Sequence, residues 1–225
     1  MRHYPDPVLA APQHGFVFLS MPKTASTSIE EALRPYALIS TGSDPRVKHV
    51  NFRGFERFIR PWLHRSGFPR DTYEVICMVR EPISWLHSWY RYRSRESLAD
   101  PSHPRHPVYT GERTFDDFAL AYVNGDPDAA KLGRQARFVQ GAHTPVGLDR
   151  MYRYEDLDTA LQHLGSKVGR GVTLERRNVS PERPLELSPD VESQLRSFLA
   201  AEYHVWELAD GEALSERGDS QSNVG

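Results

Sequence analysis

Two stretches of the chain carry residue types and spacings suited to gripping anions. The first runs from Phe16 to Ile29: an apolar run (Phe16, Val17, Phe18, Leu19), then Lys23, then four hydroxyl side chains within five positions (Thr24, Ser26, Thr27, Ser28). The pattern of a buried strand, a turn and a helix opening at Ser26 would aim unpaired helix N–H groups at the turn. Hydroxyls add further donors, and a lysine adds a mobile positive charge. Together they would hold a phosphate-like dianion. The plainer alternative is a strand-to-helix turn in which Ser26 or Thr27 only caps the helix. The second stretch is Tyr73 to Tyr90, where the apolar run Val75-Ile76-Cys77-Met78-Val79 leads into Arg80-Glu81-Pro82 and a helix. An arginine at the end of a sheet strand can grip a phosphate with two parallel hydrogen bonds. Ser88 follows Arg80 by about two helical turns and could donate to the same anion. The alternative is that Arg80 pairs with a surface carboxylate and Ser88 is a small packing residue.

A loop for the phosphates of ATP needs Gly-x-x-x-x-Gly-Lys-Ser/Thr. Here no glycine lies between Gly15 and Gly42, and the lysine precedes the hydroxyls. The segment Pro22-Lys23-Thr24-Ala25-Ser26-Thr27-Ser28 instead resembles the 5′-phosphosulfate loop of sulfotransferases that use 3′-phosphoadenosine 5′-phosphosulfate (PAPS). It is most similar to the carbohydrate type, the uronyl 2-O group among them; Ala25 stands where many members carry glycine. The Arg80–Ser88 segment resembles that family's 3′-phosphate motif, with Glu81 in place of a frequent Asp or Asn.

The resemblance implies a single α/β domain over residues 1–210. Its fold would be P-loop NTPase-like, a mainly parallel sheet flanked by helices. It implies transfer of a sulfuryl group from PAPS, as co-substrate, to a hydroxyl or amine on a small-molecule or carbohydrate acceptor. Lys23, Thr24, Ala25, Ser26, Thr27, Ser28, Arg80 and Ser88 would bind PAPS, and Lys23 would also be catalytic. His49, between the two motifs, would be the base for an alcohol acceptor; its alternative is a solvent-facing loop histidine. Weaker likenesses lie in Tyr152–Leu157, in Gln135-Ala136-Arg137-Phe138 and in 176–180, where Arg176 and Arg177 could close over the nucleotide. Two other readings stay open: a P-loop-type kinase, and a nucleotide-binding protein without chemistry.

Elements must place these residues. Apolar runs predict strands at 15–21, 37–40, 73–79 and 150–154. Helical spacing predicts helices from Ser26 to Pro35, through Phe52, Phe55, Phe58 and Ile59, and from Pro82 to Tyr90. Further helices are expected near 114–123, 129–139, 155–168 and 188–203. Strands alternating with helices imply an α/β sheet. Residues 1–14 read as a Pro-rich lead-in, 97–113 as a long loop, and 211–225 as a disordered tail.

Composition sets the outer bounds. The chain has 225 residues, 26% charged and 39% hydrophobic, with 28 basic and 30 acidic side chains for a formal charge of −2. That balance argues against general nucleic-acid binding, which needs a basic excess. No run of ~18 apolar residues is present to span a membrane, and the cytoplasm is the expected compartment. The one cysteine, Cys77, lies in an apolar run and reads as a core thiol rather than a nucleophile. His103 and His106 sit among prolines with no acidic or Cys partner, so no bound metal is expected. The Arg91, Arg93 and Arg95 cluster reads either as steering an anion or as a solvated helix face. Trp85 and Trp89 read as core.

Overall fold

The computed structural model describes residues 8–40, 50–111, 113–174 and 181–214. Six strands form one sheet: β1 (Val8–Ala11), β2 (Phe16–Leu19), β3 (Ile39–Ser40), β4 (Glu74–Val79), β5 (Arg150–Arg153) and β6 (Asp210–Ala213), in the order β3-β1-β2-β4-β5-β6. The centre, β2-β4-β5, is parallel, while β1 lies antiparallel to β2 and β3, and β6 antiparallel to β5. Four strands, β2 to β5, therefore run the same way, and the architecture is mixed α/β with a mostly parallel sheet.

Both faces of the central strands are covered, which explains why their sequences are apolar throughout rather than alternating. Phe16, Phe18, Ile76 and Met78 face one side, under Ile29 and Leu33 of α1 (Ser26–Leu33) and Ala160 and Leu164 of α7 (Leu157–Val168). Val17, Leu19, Val75, Cys77 and Val79 face the other. There they meet α2 (residues 52–65, with a π-helical turn at Phe55–Ile59), α6 (Gln135–Val139) and α9 (Ala200–Glu207). A third apolar cluster joins α3 (Pro82–Arg93), α4 (Phe115–Val123), α5 (Pro127–Ala130) and α8 (Pro189–Phe198) beside the sheet. Each large aliphatic or aromatic side chain so buried contributes ~1.5–3 kcal/mol.

Several boundaries differ from the sequence expectations. Part of the lead-in is strand β1, all four of its residues buried; the flanking prolines mark a loop, yet Val8-Leu9-Ala10-Ala11 is apolar enough to be drawn into the sheet. The expected helix 129–139 is split into α5 and α6 by a turn in which Gly133 takes φ 74°. The expected helix 188–203 breaks at Leu199 into α8 and α9, the latter running on to Glu207. The sheet also extends past Gly211, because β6 pairs with β5 and the Leu214 amide donates to the Asp149 carbonyl. The rest of the expected tail, 215–225, lies outside the described residues, as do 1–7. Cys77 is fully buried, and burial pushes its thiol up to about 12, far from a reactive thiolate.

Candidate functional site

Strands β2 and β4 are parallel neighbours, so their carboxyl ends open on the same edge of the sheet. That edge is where ligands enter such sheets. The turn after β2 carries Lys23, and the turn after β4 carries Arg80. The Arg80 Nη1 donates to the Lys23 carbonyl at 3.4 Å, joining the two turns directly.

The first turn is held by its own polar groups. Thr24, fully buried, donates its hydroxyl to the Met21 carbonyl at 2.9 Å, and the Ser20 hydroxyl donates to the buried Glu30 carboxylate. Lys23 (φ 70°) and Ala25 (φ 57°) both adopt left-handed backbone, which is costly for residues with a Cβ. Ala25 then opens α1 with no side chain capping its first turn. The hydroxyls thus divide. Ser20 and Thr24 build the turn, Ser26 is buried, and Thr27 and Ser28 lie half-buried on the first turn of α1. The plain capping alternative does not hold, since no hydroxyl caps the helix.

Lys23 rests on aromatic faces. Its Nζ lies 4.2 Å from the centre of the Tyr92 ring and 5.3 Å from that of Trp89. Burial, and then the guanidinium groups of Arg95, Arg80 and Arg91, lower its pKa from 10.5 to about 7. A cation-rich, partly dry rim of this kind costs free energy without an anion. Burial also lowers the Arg80 pKa, opposed by Tyr154 and Glu155.

Arg80 is the better fixed of the two. Its Nε donates to the Ser84 hydroxyl at 2.9 Å, and its guanidinium lies 4.5 Å from the centre of the Tyr154 ring. Its backbone is clamped by the buried Gln135: the Arg80 amide donates to Oε1 at 2.9 Å, and Nε2 donates to the Arg80 carbonyl at 2.8 Å. Glu81 caps α3 by accepting from the Ser84 amide at 2.6 Å, and Pro82 opens that helix. The Glu81 amide donates to Glu155 at 3.1 Å. The sequence likenesses at 135–138 and 152–157 therefore act as supports of Arg80. Ser88 is half-buried on the same helix, and its hydroxyl has no hydrogen-bond partner among the described residues.

Three residues here take roles that sequence reading did not assign. Trp85 donates its indole N–H to the Pro22 carbonyl at 2.9 Å, pinning the Lys23 turn to α3. Gln135 and Tyr92 are the others. The arginine cluster is no solvated face: Arg93 is buried and donates to the Asp128 carbonyl at 3.0 Å, Arg91 donates to the Pro181 carbonyl at 2.8 Å, and Arg95 stacks on Tyr92. Trp85 is core as expected, whereas Trp89 is only half-buried and touches Lys23. His103 and His106 are occupied locally, accepting from the Arg105 amide and facing the Leu98 carbonyl. His49, Arg176 and Arg177 lie outside the described residues. Among the described residues no helix is long and apolar enough to cross a membrane, and no cluster of His, Cys, Asp and Glu could hold a metal.

Comparison of the chain with protein-family models, with curated proteins and with solved structures finds no match.

Proposed function

We propose that the protein is a PAPS-dependent sulfotransferase built on a P-loop NTPase-like sheet. One observation carries the reading: Lys23 and Arg80 sit side by side at the carboxyl ends of adjacent parallel strands, beside an uncapped helix start. Two oxyanion grips on one edge match a donor with phosphate groups at two ends. The amides of Ser26 and Thr27 and the hydroxyls of Ser26, Thr27 and Ser28, with Lys23 and the Thr24–Ala25 turn beside them, hold the 5′-phosphosulfate. Arg80 and the hydroxyl of Ser88 hold the 3′-phosphate.

In the reaction the acceptor oxygen attacks sulfur in line. The new O–S bond forms as the bond from sulfur to the 5′-phosphate oxygen breaks, and adenosine 3′,5′-bisphosphate leaves. Negative charge grows on that bridging oxygen, so a cation fixed beside it stabilises the transition state more than the ground state. Lys23 takes this role. The bound dianion raises the Lys23 pKa from about 7, keeping the ammonium protonated when it is needed. His49 accepts the proton of the acceptor hydroxyl. A sulfuryl group carries less charge than a phosphoryl group, so positioning replaces the magnesium clamp of kinases.

Thermal-shift and transfer assays test the reading together. Adenosine 3′,5′-bisphosphate is expected to raise the Tm, and PAPS to yield bisphosphate with an acceptor pool. Stabilisation by ATP–Mg²⁺ alone would instead point to a kinase. PAPS binding without turnover on any acceptor would point to a binding protein.

A further inference from the structure

The Trp89 ring under Lys23 also forms part of the wall of a cavity of about 310 Å³. Pro22, next to Lys23 in sequence, lines it too, with Trp85, Leu132 and Phe138. Lys131, Arg134 and Arg137 supply its charge, and no carboxylate is in the lining. Arg134 is neutralised by Glu202 through two bonds, at 2.7 and 2.5 Å, and Lys131 faces Asp128 at 3.1 Å. Arg137 is exposed and makes no hydrogen bond or ion pair with any described residue. The Trp89 indole N–H is buried without a partner among the described residues.

We infer that this cavity binds the acceptor, and that the acceptor is a single-ring phenolic acid. The ring packs against the indoles, its hydroxyl toward Pro22, the residue before Lys23, and its carboxylate at Arg137. The inference rests on the sulfotransferase reading and names the substrate class it leaves open. The volume, at the small end of ligand pockets, suits one ring with a short side chain. Indole and phenyl walls favour a flat apolar body. The lining offers one amide, Asn51, whose Oδ1 already accepts from the Gly54 amide at 2.8 Å. A sugar would bring several hydroxyls into that wall, where Asn51 Oδ1 is the one side-chain acceptor in the lining. The lining charge without a partner among the described residues is Arg137, and an anionic ligand would form a charge-assisted pair with it. Transfer proceeds as above: the phenolic oxygen gains the sulfuryl group, the 5′-phosphate oxygen keeps the electron pair of the broken bond, and the phenolic proton passes to solvent.

Tryptophan fluorescence, followed without donor, tests acceptor binding apart from donor binding. 4-Hydroxyphenylacetate is expected to change the emission saturably and to bind about tenfold tighter than 4-methylphenol. Arg137→Gln should abolish that preference while leaving 4-methylphenol and bisphosphate affinities unchanged, since Arg137 is exposed and supports no neighbour. Equal affinity for the acid and the cresol, survival of the preference in the variant, or tighter binding of glucuronate would overturn the inference. Acid binding with no bisphosphate binding would keep the site but remove its role in sulfuryl transfer. Bisphosphate binding with no acid binding would remove the site and leave the sulfotransferase reading standing.

Discussion

In the proposed reaction Lys23 is the residue on which the chemistry turns, and its titration gives two tests. Its folded pKa of about 7 lies below the unfolded value of 10.5. Between those values the unfolded chain holds the extra proton, so stability contributed by this group rises with pH from about 7 to 10.5. Denaturation of wild type and Lys23→Met across that window should show the rise in the wild type and lose it in the variant. Anion binding has the opposite slope. Bisphosphate affinity should fall above pH 7 as Lys23 loses its proton in the free protein, and fall below ~6 as the phosphates gain theirs. Lys23→Ala should lower kcat by about 10²–10³-fold, the scale for loss of one preorganised charge-stabilising group. Arg80→Ala should chiefly raise the PAPS KM, and Ser88→Ala do so more mildly; steady-state kinetics on folded variants separates the two effects. That Lys23 and Arg80 lie on one sheet edge was legible from sequence because each follows an apolar strand run. Lys23's low pKa was not, because it comes from burial and from the guanidinium groups of Arg95, Arg80 and Arg91, which meet it only in three dimensions.

At the level of elements, the two turns are positioned by side chains remote in sequence. Gln135 holds both backbone polar groups of Arg80, and replacing it with Met leaves a buried N–H and carbonyl without partners. Each such loss costs ~1–3 kcal/mol, so Gln135→Met should lower stability by a few kcal/mol and weaken bisphosphate binding in the folded fraction. Ala25→Gly tests the other turn. The left-handed φ of 57° favours glycine, so this variant should unfold later, by ~1 kcal/mol, with donor binding retained. A loss of stability would contradict the turn geometry. Strands β2 to β5 and the helices α1, α3, α4 and α7 could be read from apolar period and from Pro22, Pro35 and Pro82. Strand β1 was hidden because four apolar residues between prolines resemble a loop, and the α8–α9 break was hidden because Leu199 preserves the apolar spacing across it. Gln135 gave no signal beyond family likeness, since a lone buried glutamine has no characteristic spacing.

Across the molecule, the sheet separates an anion rim from a stabilising ion cluster. Glu74 opens β4, at the end opposite Arg80. It pairs with His163 at 3.0 Å, with Lys167 at 2.8 Å and with Arg150 at 2.8 Å. The His163 hydrogen bond, then Lys167 and Arg150, hold its carboxyl well below the usual carboxylate range against the cost of burial. Such a group adds stability above its unfolded pKa of 4.5, and that stability is lost as pH falls below it. Glu74→Gln should flatten the acid limb of the stability profile. It should leave bisphosphate binding unchanged, because the length of β4, ~3.3 Å per residue, separates it from Arg80. The mixed α/β class and the shared sheet edge followed from alternating element types, whereas the antiparallel edges β1 and β6 did not, for nothing in their composition marks direction. The account as a whole rests on one donor spanning both grips. Calorimetric titration with adenosine 3′,5′-bisphosphate tests that most directly. Saturable binding tighter than ~1 mM, weakened by Lys23→Ala and by Arg80→Ala separately, is the predicted result. No binding to the folded wild-type protein at that concentration, or binding indifferent to both substitutions, would contradict it.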